Sequence, residues 1–132
     1  MNIQYKTGHI PTAAQVIEVY DSAGLRRPTT DPARINEMIQ HSNLIVTAWD
    51  GDKLVGVSRA ITDFYYCCYL SDLAIRKEYQ KQGIGKELVQ LTKEALGPQV
   101  MLLLLSAPTA MEYYPKIGMA KLDNAFMIQR DH

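Results

Sequence analysis

Residues 73–86 read Leu73-Ala74-Ile75-Arg76-Lys77-Glu78-Tyr79-Gln80-Lys81-Gln82-Gly83-Ile84-Gly85-Lys86. An apolar strand here runs into a glycine-containing turn, and the turn opens an amphipathic helix. Glycines at 83 and 85 let the backbone bend tightly and approach a ligand closely. The first amides of a helix have no partners within it, and the helix dipole favours negative charge there. The stretch therefore predicts either an anion site, most naturally for a phosphate, or a purely structural turn.

Two common phosphate motifs do not fit this stretch. The dinucleotide fingerprint requires a third glycine where Leu88 stands. The nucleoside-triphosphate loop requires glycine at the position of Gln80 and a hydroxyl residue at that of Glu87. A plain nucleotide-binding module is therefore disfavoured. Lys81 and Lys86 could add positive charge at the rim of a different kind of anion site.

The pattern around this stretch predicts a mixed α/β (α+β) domain. Two helices come early, one between the caps Thr12 and Gly24 and one after Asp31-Pro32. One crossover is expected to join parallel strands. The predicted strands are residues 3–6, 44–49, 53–61, 65–75, 100–105 and 125–129. Strands 44–49, 53–61 and 65–75 form a meander with a turn at 50–52. Strand 100–105 is apolar on both faces, which predicts burial from both sides. The later helices are residues 84–97 and 110–117.

Composition limits the function classes. The chain has 132 residues, which fits a single domain over 1–132. Its 14 basic and 14 acidic side chains are mixed along the sequence, so no nucleic-acid partner is expected. No apolar run approaches the roughly 20 residues of a membrane span, and residues 1–10 lack a signal-peptide pattern. A cytoplasmic protein without a membrane partner is expected.

The cysteines and histidines do not predict a metal site. Cys67 and Cys68 are adjacent on a predicted strand, so their side chains point to opposite faces. The three histidines are far apart and lack metal-ligand spacing. The cysteines are expected to serve as two small apolar residues in a reduced cytoplasm.

Two linked motifs resemble those of the GNAT N-acetyltransferase superfamily. Residues 80–85, Gln-Lys-Gln-Gly-Ile-Gly, resemble the family's Gln/Arg-x-x-Gly-x-Gly/Ala signature. Residues 110–119, Ala-Met-Glu-Tyr-Tyr-Pro-Lys-Ile-Gly-Met, resemble its Ala-x-x-Phe-Tyr-x-x-x-Gly-Phe segment. The resemblance implies a mostly antiparallel mixed sheet with a splayed parallel strand pair at its centre and about four flanking helices.

The resemblance also implies acetyl-coenzyme A as acetyl donor. The backbone of Leu73, Ala74 and Ile75 would pair with the pantetheine arm like an extra strand. The amides of residues 80–86 would hold the pyrophosphate. The acyl chain would enter the gap between strands 65–75 and 100–105. An amide near Leu73 would then polarise the thioester carbonyl.

Two residues are candidates for proton transfer. Tyr114 matches the family tyrosine that protonates the leaving thiolate, and the alternative is a ring that only packs on the cofactor. Asp72 lies beside the expected acyl site and could accept the proton of the amine. Its ordinary pKa near 4 makes it a weak base, so the alternative is a structural or substrate-orienting carboxylate.

Two groups of residues are candidates for the acceptor site. Arg26 and Arg27 fall in the loop between the first two helices, which commonly shapes the acceptor site in this family. They could bind a carboxylate of the substrate or form a solvated surface pair. Tyr65, Cys67 and Tyr69 share one face of an alternating strand. They could line the acceptor pocket or simply be residues that favour strands.

The chain departs from the family pattern in three places. Ala107 stands where an asparagine often contacts the cofactor, Pro115 is expected inside a helix, and only thirteen residues follow Met119. The resemblance favours an enzyme that transfers acetyl to a primary amine, of a small molecule or a protein, by direct attack in a ternary complex. The alternative is a non-catalytic acyl-coenzyme A-binding or sensing domain. A homodimer is expected by analogy only.

Overall fold

A computed structural model describes residues 2–132 of the chain. The strands are β1 (Ile3–Thr7), β2 (Leu44–Asp50), β3 (Lys53–Thr62), β4 (Cys67–Ile75) and β5 (Met101–Leu104). The helices are α1 (Ala13–Ala23), α2 (Pro32–Gln40), α3 (Ile84–Leu96) and α4 (Tyr113–Lys116). Single 3-10 turns lie at Lys77–Tyr79 and Pro108–Ala110.

The strands form one sheet in the order β1-β2-β3-β4-β5. The first three contacts are antiparallel and the last, between β4 and β5, is parallel. Helix α3 makes the crossover between those two parallel strands. The mixed, mostly antiparallel sheet flanked by four helices confirms the expected fold class.

Local capping chemistry fixes the first two helices. The Thr12 hydroxyl accepts a hydrogen bond from the Gln15 amide at 3.1 Å, and the Gln15 side chain accepts one from the Thr12 amide at 2.9 Å. Gly24 ends α1 in the left-handed conformation, at φ 74°. Asp31 caps α2 through the Arg34 amide, with Pro32 as the first helical residue. These are the boundaries that the sequence predicted.

Helices cover both faces of the central strands. Helices α1 and α2 bury Val16, Tyr20, Ile35 and Ile39 against one face of the sheet. Helix α3 buries a second cluster that includes Leu88 and Leu96 against the opposite face. Strand β2 alternates between the two clusters, with Ile45 in the first and Val46 in the second. Strands β2 and β3 are therefore buried almost throughout.

Strands β4 and β5 pair over only part of their length. The ladder runs from Cys67 beside Met101 to Leu70 beside Leu104, where β5 ends. Strand β4 continues to Ile75, so its residues beyond Leu70 face an open gap on that side. A bulge at Ser71 marks the start of this gap: Leu70 pairs with Ala60 of β3, and Asp72 pairs with the adjacent Arg59. The splayed parallel pair is thus present, at the edge of the sheet rather than at its centre.

Three predictions for the second half of the chain were wrong. No strand forms at 125–129 in the described residues 2–132, and that segment is exposed. Strand β5 is therefore an edge strand, and its side chains are exposed or only partly buried instead of buried on both faces. The helix expected at 110–117 shortens to Tyr113–Lys116, because a 3-10 turn occupies Pro108–Ala110.

Candidate active site

The outer edge of β4 offers backbone groups to the gap. The Arg76 amide donates to the Val55 carbonyl of β3 at 2.8 Å. Because backbone groups alternate along a strand, Ala74 also faces β3, where it pairs with Val57. Leu73 and Ile75 then turn their N–H and C=O groups away from β3, towards the gap. Of the three residues expected to bind the cofactor, only Leu73 and Ile75 therefore direct backbone groups to the gap. The Ile75 carbonyl accepts a hydrogen bond from the Gln80 side chain at 2.9 Å.

The loop that follows combines left-handed and ordinary backbone conformations. Lys81 has φ 64° and Gly83 has φ 83°, both in the left-handed region, and α3 starts at Ile84. Alternation of left-handed and ordinary residues is the geometry in which successive amides point to one anion. No side chain within residues 2–132 caps the first turn of α3. Lys81 and Lys86 are exposed beside this turn. The donors and charges present therefore fit a phosphate group.

The close approach of Tyr113 leaves no room for a side chain at position 85. A Cβ atom at Gly85 would lie 2.5 Å from the Tyr113 hydroxyl and 3.3 Å from Ile75 Cδ1. Any side chain there would have to displace Tyr113 from the start of α3. The two glycines thus serve different purposes, since Gly83 supplies a backbone conformation and Gly85 supplies space.

Tyr114 lies at the wall of an apolar cavity. The cavity has a volume of about 900 Å³ and lies between α3, β5 and the segment after α4. The ring of Tyr114 is half-buried and packs edge-on against Tyr113, with centroids 5.2 Å apart. Burial, followed by the neighbouring Tyr113, raises the pKa of Tyr114. Its phenol is therefore protonated at neutral pH and able to donate a proton.

Pro115 does not break the helix that carries Tyr114. Helix α4 begins at Tyr113, so Pro115 lies in its first turn, where backbone amides need no partner within the helix. The amides of Ile117 and Met119 both donate to the Tyr114 carbonyl at 3.1 Å. The expectation that Pro115 lies inside a helix was wrong, because the helix starts later than the sequence suggested.

Asp72 is buried at the centre of an ion-pair network. Its carboxylate is 0% exposed and accepts hydrogen bonds from Tyr20 Oη at 2.7 Å, Arg27 Nε at 2.6 Å and Arg59 Nε at 2.6 Å. Ser71 Oγ donates a fourth, at 3.2 Å. Burial alone would raise the pKa of Asp72, but Arg59, Arg27 and Tyr20 together lower it below its ordinary value. These contacts support the structural interpretation of Asp72 over that of a base.

Arg27 belongs to the same network, and Arg26 does not. Besides Asp72, the Arg27 guanidinium donates to the carbonyls of Ser71 at 2.8 Å and Arg26 at 2.6 Å. It ties the loop between α1 and α2 to the β4 bulge. The side chain of Arg26 is exposed. Of the two, only the Arg26 guanidinium has no partner among residues 2–132, as binding of a substrate carboxylate would require.

The three candidates from the tyrosine–cysteine run are separated. Tyr65 is 79% exposed and precedes β4, in a turn whose amides at 65, 66 and 67 all donate to the Asp63 carboxylate. Cys67 and Tyr69 share one face of β4, and both are exposed. Tyr69 pairs with Leu103 one residue before the end of the ladder, so it alone approaches the gap.

The comparisons with known proteins decide the family. A sequence profile described as an acetyltransferase (GNAT) domain matches residues 16–128. The chain belongs to the GNAT acetyltransferase family. The resemblance that its two motifs predicted is thereby confirmed, and the match spans α1 through the segment after α4.

This GNAT chain is similar to several known proteins at low sequence identity. An uncharacterized N-acetyltransferase of Porphyra purpurea is 27% identical over 79% of this chain. The matched region covers only 62% of that relative's length. A probable acetyltransferase from meticillin-resistant Staphylococcus aureus superposes with a TM-score of 0.81 at 22% identity, covering 98% of this chain and 100% of the other. The aminoglycoside N-acetyltransferase AAC(6')-Iy, solved with CoA, gives 0.74 at 10% identity, covering 99% and 96%. These structural likenesses concern the fold.

Sequence reasoning missed two residues of the GNAT site region. Tyr20 and Arg59 both contact Asp72, yet they lie 52 and 13 residues from it in the sequence. A buried-charge argument could have found Arg59, since an arginine in the middle of a predicted apolar strand needs a carboxylate partner. Tyr20 carried no such signal, because a tyrosine on the apolar face of a helix is unremarkable.

Residues 2–132 contain neither a helix that could span a membrane nor a cluster of metal-ligating side chains. None of the helices described is long and apolar enough to cross a membrane. In the same residues, no three or more His, Cys, Asp or Glu side chains come together as metal ligands would.

Proposed function

We propose that residues 1–132 form one acetyltransferase domain that transfers the acetyl group of acetyl-coenzyme A to a primary amine, by direct attack in a ternary complex. One observation carries the proposal: the open edge of β4 leads directly into the amide-lined loop and the uncapped start of α3. An extended arm with a pyrophosphate at one end fits an edge that offers strand pairing followed by an anion site. Coenzyme A has both an extended arm and a pyrophosphate, whereas a free phosphate would use only the anion site.

Each part of the site has an assigned role. The loop amides of residues 80–86 would hold the pyrophosphate, and Leu73 and Ile75 would pair with the arm through their backbone. The Leu73 amide would donate a hydrogen bond to the carbonyl oxygen where negative charge develops during attack. Bound acetyl-coenzyme A supplies an activated acetyl group as its thioester.

Proton transfer would involve Tyr114 and the solvent. The thiolate must gain a proton as it leaves, and Tyr114 is a protonated phenol at the cavity wall. The amine must lose one, and the network around Asp72 makes that carboxylate a positioning group for β4 rather than the acceptor of this proton. Water that has access to the gap would take it.

The acceptor amine is the open part of the proposal. Arg26 is exposed in the loop between α1 and α2, and Tyr69 is exposed on β4 next to the gap. Both would contact the acceptor. The solved aminoglycoside acetyltransferases share the fold of this chain at 10% to 18% identity, so aminoglycosides enter as one candidate class among small-molecule and protein amines. The proposed enzyme works in the cytoplasm, without nucleic acid or membrane, and as a homodimer.

A non-catalytic acyl-coenzyme A sensor is the second candidate. It is favoured by Ala107, which stands where the family often has a cofactor-contacting asparagine, and by the use of Asp72 in an ion-pair network.

Incubation with radiolabelled acetyl-coenzyme A and separate panels of aminoglycosides, polyamines, amino acids and peptides distinguishes the two candidates. We expect label to move to at least one amine. Tight binding of acetyl-coenzyme A in calorimetry, without transfer to any amine, would instead support the sensor.

A further inference from the structure

The gap beside β4 has two sides, and they differ. Side chains alternate along β4, so Leu73 and Ile75 pack on the α3 side, whereas Asp72 points to α1. On the α3 side, Ile75 Cδ1 and the Tyr113 hydroxyl both come close to Gly85, at 3.3 Å and 2.5 Å from where a Cβ atom would lie. Side chains therefore fill that side. An amine that attacks beside Leu73 would approach from the side of α1 and α2.

The loop between α1 and α2 lies on this approach side and is held in place. Arg27 Nη2 donates to the Ser71 carbonyl at 2.8 Å, where the gap begins, and Arg27 Nη1 donates to the Arg26 carbonyl at 2.6 Å. The Leu25 amide donates to the Tyr20 carbonyl at 3.1 Å. The backbone of Arg26 is thus fixed beside the β4 bulge, while its side chain is exposed. A ligand in the gap would meet that guanidinium.

Arginines outnumber carboxylates at the bulge. Asp72 is the carboxylate there, and Arg27 Nε and Arg59 Nε each donate to it at 2.6 Å. Its negative charge is therefore more than matched before Arg26 is counted. Because Arg26 adds a further positive charge on the same side, the local field at the gap attracts an anion.

Two carboxylates flank the loop, but within residues 2–132 neither forms an ion pair with Arg26 or Arg27. Asp31 caps α2 by accepting from the Arg34 amide at 3.1 Å, and Asp21 is exposed on α1. A polycationic acceptor such as an aminoglycoside or a polyamine brings several ammonium groups, which would meet like charges at the bulge. An acceptor that also carries a carboxylate would find a partner there instead.

We propose that the acceptor is an amino acid, whose carboxylate is bound by the Arg26 guanidinium while its amine attacks the thioester. An arginine fork can donate to both oxygens of a carboxylate, which orients the molecule as well as holding it. The amide bond forms as the carbon–sulfur bond breaks; water takes the proton of the amine, and Tyr114 supplies the proton of the thiol. This inference rests on the acetyl transfer proposed above and names its substrate class.

Transfer assays with matched acceptors test the role of the carboxylate. Each standard amino acid, together with the longer β-alanine and γ-aminobutyrate, is compared with its own amide, and rates are expressed per free amine. We expect at least one acid to exceed its amide by about tenfold or more in kcat/KM. The difference should lie mainly in KM, because the carboxylate is bound equally in the ground state and the transition state.

Substitutions of two exposed arginines locate the effect. Arg26→Gln should abolish the advantage of the acid over its amide, and Arg26→Lys should keep part of it, since an ammonium retains the charge but not the fork. Arg34→Gln is the matched control and should keep the full advantage, because Arg34 is exposed on α2 outside the loop. Circular dichroism checks that each variant is folded.

Binding of the reaction products gives a readout that needs no turnover. In the presence of coenzyme A, calorimetry with N-acetylated amino acids and their amides should show binding of the acids that depends on Arg26. Such binding without transfer would support the carboxylate site and refute acetyl transfer.

Three results would overturn the amino-acid acceptor and leave acetyl transfer standing. They are transfer at equal rates to acids and amides, an acid preference that survives Arg26→Gln, and kanamycin or spermine as the best acceptor. The absence of both transfer and Arg26-dependent binding would overturn both proposals.

Discussion

Substitution of Asp72 by asparagine is expected to destabilise the protein far more than an ordinary charge change. Asp72 Oδ2 accepts from Tyr20 and Arg59, and Oδ1 accepts from Arg27 and Ser71. Asparagine replaces one of these oxygens with an amide donor, which then faces two other donors. Arg59, whose side chain is 8% exposed, is left as a buried charge without a counter-ion.

The magnitude follows from this geometry. Removing one partner of a buried ion pair costs about 3–5 kcal/mol, which is a large part of the 5–15 kcal/mol that stabilises a typical domain. Urea unfolding followed by circular dichroism measures the change in the free energy of unfolding. Tyr20→Phe, which deletes one hydrogen bond to the same carboxylate, is expected to cost about 1.5–3 kcal/mol. Asp21→Asn, at an exposed carboxylate of α1, serves as the control and is expected to cost little.

Two further readouts separate the structural role from a catalytic one. The folded pKa of Asp72 lies below its ordinary value, so its contribution to stability is present above about pH 4 and is lost as the pH falls further. We expect Asp72→Asn to weaken this acid-dependent loss while the pH–rate profile of the folded enzyme keeps its shape. A loss of less than about 1 kcal/mol, together with a flattened pH–rate profile, would refute the ion-pair reasoning and make Asp72 the base.

Three other predictions concern the reaction. Gly83→Glu places a carboxylate at the proposed phosphate site, so calorimetry should show at least a tenfold loss of coenzyme A affinity, about 1.4 kcal/mol. Gly83→Ala controls for the strain of a side chain at φ 83° and should lose less. Tyr114→Phe should lower turnover by roughly 10²–10⁴ with little change in acetyl-coenzyme A binding, whereas a fall of less than threefold would give the acid role to water or Tyr113. The wild-type rate should rise between about pH 6 and 9, because an alkylammonium with a pKa near 10 must lose a proton before attack. A rate that is independent of pH over this range would contradict attack by a free amine.

The features predicted correctly from sequence are those decided within a few residues. The caps Thr12 and Asp31 form hydrogen bonds with amides three residues away. The turn at Gly51-Asp52 joins β2 and β3 with Asp50 opposite Lys53, as the Asp-Gly pattern indicated. The loop at Gly83 has the positive φ that its glycine suggested. Each of these outcomes is fixed by local chemistry that distant contacts did not override.

The features that sequence could not supply depend on distant partners. Burial of the predicted strand 100–105 on both faces required a neighbouring strand at 125–129. That strand did not form, and the side chains of β5 are exposed or only partly buried. The role of Asp72 depended on Arg27, 45 residues away, whose charge in a loop suggested only surface or substrate contacts. The start of α4 depended on how the chain turns after β5, which moved Pro115 from the middle of a helix to its first turn.

The extra residue at Ser71 acts as a phase shift in β4. Before it, backbone groups of even-numbered residues point towards β5, as the Tyr66 carbonyl shows by accepting from the Met101 amide. After it, odd-numbered residues point that way, and even-numbered side chains such as Asp72 turn to the α1 face. Deleting one residue here would exchange the two sets. The amides of Leu73 and Ile75 would return to β3, and the carboxylate would face α3 without Tyr20. A single inserted residue thus aligns both the backbone of the proposed binding edge and the buried anchor beneath it, and its deletion would misplace both at once.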